Sequence, residues 1–417
     1  MTAPQAGDLV LSHLVHRTVV GPDEGAVGRL NDVVVRLRGN DQPLVVGLVA
    51  DVGRRQVFVP AVQVRSWESD RLRLASATLD VRPFVRRPGE VLLRADVLGH
   101  RLVDISHATL VRAHDLLLQQ TQTGWVLAGV RTTRTRRRGA APDATFRDWQ
   151  AFEALIGHEP TVLIRAGFGR LRSLRAAELA DLLEDASRDE QAEILALVRQ
   201  DPELEADVYE ELDEHRGHLL AARPDTEVAR LLARMHTDDA ADAVMDLPAS
   251  RRADVLALLP VGTREAVTNL LSYNQTTAGG LMSIEYLAVP ADLTADAALG
   301  IIRSARHTPL EAAGTVHLLD DAGHLSGTVP LLRLVQADSS EPLAELADLD
   351  PVRVTPDTDL ADLALLMADH NLATLPVVDP NDQLLGVITV DDVLPATLPS
   401  DWRLRDPAPR PEPNTPA

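Results

Sequence analysis

Leu271-Ser272-Tyr273-Asn274-Gln275-Thr276-Thr277-Ala278-Gly279-Gly280-Leu281-Met282 divides the chain between two regimes of hydrophobic spacing. From Phe146 to Tyr273, Leu, Ala and acidic residues recur at helical intervals with few strand formers, which predicts short α-helices. This region is internally duplicated. Glu178-Leu179-Ala180-Asp181-Leu182-Leu183 and Asp189-Glu190-Gln191-Ala192 return as Glu227-Val228-Ala229-Arg230-Leu231-Leu232 and Asp238-Asp239-Ala240-Ala241. Leu247-Pro248 and Leu259-Pro260 each end a helix, because proline lacks the N–H and clashes with the preceding turn. Short helices stacked in pairs predict a superhelix over 146–277.

After the junction a second duplication runs toward the C-terminus. His317-Leu318-Leu319-Asp320 with Leu325-Ser326-Gly327 is matched by Pro376-Val377-Val378-Asp379 with Leu384-Leu385-Gly386, each preceded by an amphipathic helix (Ala295 to Arg303; Leu360 to Asp369). Two β-α-β-β-α units are expected, over 278–340 and 341–400. The segment 401–417 holds five prolines among few apolar residues and is expected to be a disordered tail.

The N-terminal third carries a third duplication. His16-Arg17-Thr18-Val19-Val20 and Arg29-Leu30-Asn31-Asp32-Val33-Val34-Val35 are echoed by His100-Arg101-Leu102-Val103-Asp104 and Arg112-Ala113-His114-Asp115-Leu116-Leu117-Leu118. Val-rich runs broken by Gly, Asp and Arg turns predict a small β-barrel or paired sheets over 1–130. Arg131, Arg134, Arg136, Arg137 and Arg138 then read as an exposed, Arg-rich linker over 131–145, with a grip on an anionic lipid surface or RNA as the lower-ranked alternative. The fold class is therefore multidomain α+β.

Composition narrows the chemistry. The 417 residues carry 62 acidic and 41 basic side chains, a net charge of −21, which disfavours nucleic-acid partners and favours divalent cations. All basic residues are Arg, so a phosphate-loop lysine and a Schiff-base lysine are excluded. The absence of Cys excludes disulfides, thiolate nucleophiles and cysteine-ligated metals. No serine elbow or paired-carboxylate hydrolase motif is found, and no catalysis is expected. No apolar stretch approaches a membrane span and no signal core follows Met1, which reads as cytoplasmic. His13 and His16 read as surface histidines rather than a zinc site, and Gly167-Phe168-Gly169 as a loop rather than a dinucleotide fingerprint.

The junction, with Ala288-Val289-Pro290 and the ending Leu375-Pro376-Val377-Val378-Asp379 … Gly386-Val387-Ile388-Thr389-Val390-Asp391-Asp392-Val393, resembles the cytosolic region of the MgtE family of magnesium transporters over roughly residues 170 to 398. The resemblance implies a helical N domain followed by a CBS pair. In that family several membrane-spanning helices come next; here a proline-rich segment does, so the chain is not expected to conduct magnesium itself. The N-terminal repeats resemble the PRC-barrel family, an interaction module, through the Asp preceding a three-residue aliphatic strand.

The resemblance further implies that Mg2+ closes the helical domain onto the CBS pair. Magnesium takes oxygen ligands and keeps several waters, so a few carboxylates held across an interface suit it. Carried over by motif, the positions are Asp379, Asp391 and Asp392; Asp238, Asp239 and Asp242, at one-turn spacing, are the helical-domain candidates to face them. Each has an ordinary alternative: Asp238 as a helix cap, Asp379 as a turn residue, Asp391 as a first-turn acid. Gln275 and Thr276 stand where the family commonly has acids, so one interdomain site is expected to be weak or missing. Gly386, Thr389 and Asp392 also match the Gly-x-x-Thr-x-x-Asp pattern by which CBS pairs hold ATP or another adenosine ligand, with a capped helix start as the alternative. The first unit has Pro330 and Arg333 at those places. Expected partners are a second copy through the CBS pair and a separately encoded transporter. A nucleotide-responsive adaptor with no metal switch is the competing reading.

Overall fold

The computed structural model describes residues 7–38, 41–68, 70–76, 78–134, 145–155, 170–213, 215–305, 308 and 312–398. Gly167-Phe168-Gly169, Arg136 to Arg138 and the proline-rich segment from 401 lie outside them. The chain forms two compact units, 1–215 and 216–417.

The first unit opens with β1 (Leu9–Val10), the single turn α1 (Leu11–Leu14), β2 (Thr18–Val20), and the long hairpin β3 (Ala26–Arg38) and β4 (Asp41–Val52). After β5 (Arg55–Pro60), β6 (Val64–Trp67) and β7 (Arg71–Leu74), the pattern repeats. It gives β8 (Glu90–Leu92), one π-helical turn (Leu93–Val97), β9 (Arg101–Asp104), and the hairpin β10 (Thr109–Thr121) and β11 (Gly124–Arg134). One buried face of Leu and Val, including Val33, Val35, Leu48, Leu116, Leu118 and Leu127, unites both halves.

Each half supplies the first strand of the other. β1 pairs with β10 (Leu9 opposite Leu118), while β8 pairs with β3 (Val34 opposite Leu92). The duplicated aspartates fix this exchange. Asp32 accepts N–H bonds from Val33 (2.7 Å), Arg94 (2.7 Å) and Ala95 (2.9 Å), capping the turn that follows β8. Asp115 accepts from Leu116 N (2.9 Å), Ser12 N (3.2 Å) and Ser12 Oγ (2.6 Å), capping the turn that follows β1. Burial pushes Asp32 up to about 6 against its three N–H donors, since a low-dielectric site disfavours the charged form.

The sheet extends further than the sequence suggests. Arg131 belongs to β11 rather than a linker, and β12 (Arg147–Asp148) and β13 (Phe152–Ala154) add to β11 and β9, so strands continue to Ala154 where helices are expected from Phe146. Arginine content alone misleads here, because these arginines are paired. Arg131 bonds Asp115 (3.1 Å) and lies over the Phe146 ring; Arg147 grips Asp104 with both amino groups and lies over Phe152. Helices begin with α2 (Ala176–Asp185), α3 (Arg188–Val198) and α4 (Pro202–Glu210). Arg101 of β9 clasps Glu190 of α3 (2.8 Å from Nε) and tethers the helices to the sheet.

The second unit continues with α5 (Arg216–Ala221), α6 (Asp225–Leu232), α7 (Thr237–Asp246), α8 (Ala249–Leu258) and α9 (Val261–Leu270). Pro248 and Pro260 stand at the N-caps of α8 and α9, with the preceding Leu247 and Leu259 extended, as a residue before proline must be. The short α10 (Ala278–Leu281) leads into the first β-α-β-β-α unit: β14 (Leu287–Pro290), α11 (Ala295–Ile302), β15 (Thr315–Leu319), β16 (Leu325–Pro330) and α12 (Leu331–Gln336). Its core joins Val289, Ala298, Val316, Leu318, Val329 and Leu334. After α13 (Leu343–Leu346) comes the second copy, with α14 (Leu360–His370), β17 (Thr374–Val378), β18 (Leu384–Thr389) and α15 (Val390–Thr397).

The two copies also trade edges. Ser283, ahead of the first, brackets Val387 in β18, and Asp348, ahead of the second, brackets Thr328 in β16. A Cβ on Gly386 would lie 2.8 Å from Ser283 O, and one on Gly327 2.9 Å from Asp348 O. The duplicated glycine is therefore a requirement of close strand approach.

Candidate functional site: an acidic cluster between helix α7 and the second CBS unit

Asp238 and Asp239 occupy the first turn of α7, and Asp391 and Asp392 the first turn of α15. Acids are favoured there by the helix dipole. Asp392 also accepts from Thr389 N (2.9 Å) and lies 2.7 Å from Thr389 Oγ1, closing the start of α15 on itself. The same hydroxyl touches Asp391. Burial pushes Asp392 up to about 6.

Asp238 departs from a plain helix-start acid. Its Oδ1 is buried with no hydrogen-bond partner. Burial drives its pKa well up, and the neighbouring carboxylates of Asp239, Asp392 and Glu285 drive it further. Its counterpart in the duplicated helix α3, Asp189, is exposed. An orphaned carboxylate oxygen facing further carboxylates costs stability unless a proton or a cation meets it. Carboxylate oxygens drawn from two domains fit a hard dication such as Mg2+, with the His236 ring standing beside them, 3.9 Å from Asp239.

Glu285 is a member that sequence reading missed. Its Oε2 accepts from Ser283 Oγ (2.8 Å) and its Oε1 from Thr237 Oγ1, so it joins the segment before the first CBS unit to the start of α7. The available signal was an acid in the apolar stretch from Leu281 to Leu287.

The other expected ligands lie elsewhere. Asp379 closes an exposed turn, accepting from Asn381 N (2.7 Å), Asn381 Nδ2 (3.2 Å) and Gln383 N (2.9 Å), and these bonds hold its carboxyl below the usual range. Asp320 makes the equivalent turn in the first copy. Asp242, one helical turn beyond Asp238, accepts from Gln275 Nε2 (3.1 Å) and has Arg216 and Asp246 as charged neighbours. Of the nucleotide pattern, Gly386 packs against Ser283 and Met282, while Thr389 and Asp392 engage each other.

The helices and the paired β-α units define an α+β architecture, a helical domain set before a CBS pair. Comparison with known proteins agrees: the family described as the MgtE intracellular N domain matches residues 174–276, and the CBS domain family matches 343–398. The chain thus carries an MgtE-type N domain and CBS domains. The magnesium transporter MgtE of Thermus thermophilus is 39% identical over 163 residues, 38% of this chain and 35% of that protein. The Enterococcus faecalis magnesium transporter MgtE is 31% identical over 128 residues, 31% of this chain and 28% of that protein. The chain therefore spans about a third or less of the curated relatives it matches. Among solved structures, the cytosolic domain of the Mg2+ channel MgtE in complex with ATP superposes with a TM-score of 0.52 at 28% identity, covering 57% of this chain and 94% of that one. Among the described residues, no helix is long and apolar enough to cross a membrane.

Proposed function

We propose that this chain is a cytoplasmic regulatory protein of the MgtE cytosolic type that responds to Mg2+ at the cluster of Asp238, Asp239, Glu285, Asp391 and Asp392, and relays the response to a partner such as a separately encoded transporter. One observation carries the reading: Asp238 holds a buried, unpartnered carboxylate oxygen beside the carboxylates of a different domain. Two carboxylates 4 Å apart repel by about 4 kcal/mol at an effective dielectric near 20. Without metal, α7 and α15 are pushed apart; a dication reverses the sign of that contact. The families matched are regulatory rather than catalytic, in keeping with a sensor.

The test is thermal melting of the whole chain with and without millimolar Mg2+. A ligand at a hundred times its Kd stabilises by about 2.7 kcal/mol, roughly 5–10 °C for a unit of this size. Asp238→Asn is expected to raise the metal-free melting temperature, by removing a repelled charge, and to shrink the Mg2+ shift. An undiminished Mg2+ shift in Asp238→Asn rules the cluster out.

ATP at Gly386, Thr389 and Asp392 is the second reading, favoured by the ATP-bound relative. It ranks lower because nucleotide would have to open the Thr389–Asp392 cap. A melting shift on ATP alone, lost in Thr389→Ala, would promote it.

The CBS pair is proposed to dimerise. Leu332 (67% exposed) and Val335 (59%) on α12, Leu365 (57%) on α14 and Leu394 (52%) on α15 are large apolar side chains left in water, and a second copy would cover them. Sedimentation is expected to show a dimer for the native chain and a monomer for Leu332→Asp with Leu394→Asp.

A further inference from the structure

The turn between α9 and α10 is unusually constrained. Asn274 O accepts from Thr277 N (3.0 Å) and Thr277 Oγ1 (2.9 Å), and Asn274 Oδ1 lies 3.1 Å from both Thr276 N and Thr276 Oγ1. Ala278 N and Gly279 N bond the carbonyls of Thr358 and Pro356, ahead of α14. Gly279 lies against the Tyr273 ring, and a Cβ on Gly280 would lie 2.5 Å from Gln275 Cα. The backbone of Gln275 is thereby held in place, and its side chain reaches Asp242 on α7 at 3.1 Å.

Burial raises the Asp242 pKa and Asp246 adds to that, while two protein groups, rather than a metal, oppose it. The amide hydrogen of Gln275 meets one oxygen, and Arg216, itself bonded to Asp246 (2.6 Å), offsets its charge. An amide donates to a carboxylate without repelling it, whereas a carboxylate at position 275 would need a cation between the two. We propose that Gln275 makes the contact between α7 and the junction turn a metal-independent clasp, so that of the acidic positions along α7 only the Asp238 end answers to a dication. The statement about Asp238 rests on the function proposed above; the clasp stands on its own geometry.

The experiment uses the full chain, reading the metal-free melting temperature and the number of Mg2+ ions bound by equilibrium dialysis. Gln275→Ala is expected to lower metal-free melting by about 2–4 °C, as loss of one hydrogen bond to a charged group does, while the Mg2+ count stays that of the native chain. Gln275→Glu is expected to lower metal-free melting further and to gain one Mg2+ per chain, a gain removed by adding Asp242→Asn. Two results overturn the clasp: metal-free melting unchanged in Gln275→Ala, or no additional ion in Gln275→Glu. A native chain blind to Mg2+ whose Gln275→Ala variant still melts early would sink the sensor reading and leave the clasp intact.

Discussion

Replacing Gly280 with alanine is expected to destabilise the second unit by about 3 kcal/mol, the upper end of what overpacking costs. The new Cβ would lie 2.3 Å from Asn274 O and 2.5 Å from Gln275 Cα, and both are backbone atoms of a turn already closed by hydrogen bonds. No rotamer change relieves such a contact. Gly262 in α9 is the control, because a Cβ there meets nothing within 4 Å. Alanine at that helical position should instead stabilise by about 0.5–1 kcal/mol. Urea unfolding of the two variants checks both, and equal midpoints would mean that the junction turn yields freely.

Acidification is expected to weaken the first CBS unit through His317. This side chain is fully buried on β15, with Nδ1 3.1 Å from Leu287 O, Nε2 unpartnered and the ring against Tyr286. Burial pushes its pKa down to about 4 from 6.5, because the charged imidazolium has lost its water. Unfolding frees the ring to take a proton, so its contribution is fully present above pH 6.5 and is lost as pH falls toward 4. The loss amounts to about 3 kcal/mol, at 1.36 kcal/mol for each pH unit. Asp392, raised to about 6, acts in the opposite sense, stabilising the fold as pH falls. The readout is therefore the difference in stability between the native chain and His317→Leu from pH 7 to pH 4. Parallel profiles would show that the imidazole gains a proton partner inside the fold.

The division at Leu271–Met282 was legible because the helical spacing of Leu and Ala stops there and strand-length apolar runs begin beyond it. The duplications were legible as architecture because Gly327 and Gly386, or Asp32 and Asp115, each meet one local need twice. Asp238 and Asp242 show where spacing stops informing. One helical turn apart, they look interchangeable in sequence, yet one faces Asp392 and the other an amide. Asp379 reads as a ligand by its place in a motif, while its oxygens serve a turn. Glu285 was invisible because its role depends on Thr237, far away along the chain. The strands at Arg147 and Phe152 were hidden by charges that only tertiary pairing neutralises.

The crossed first strands of the N-terminal unit impose an order on its synthesis. The seat of β1 is β10, and Ser12 waits for Asp115 across 103 positions of chain. During translation β1 emerges before its partner strand exists, and contacts of such long range form slowly. β1 is thus made well before the strand that seats it, and neither half can finish before the ribosome has delivered both.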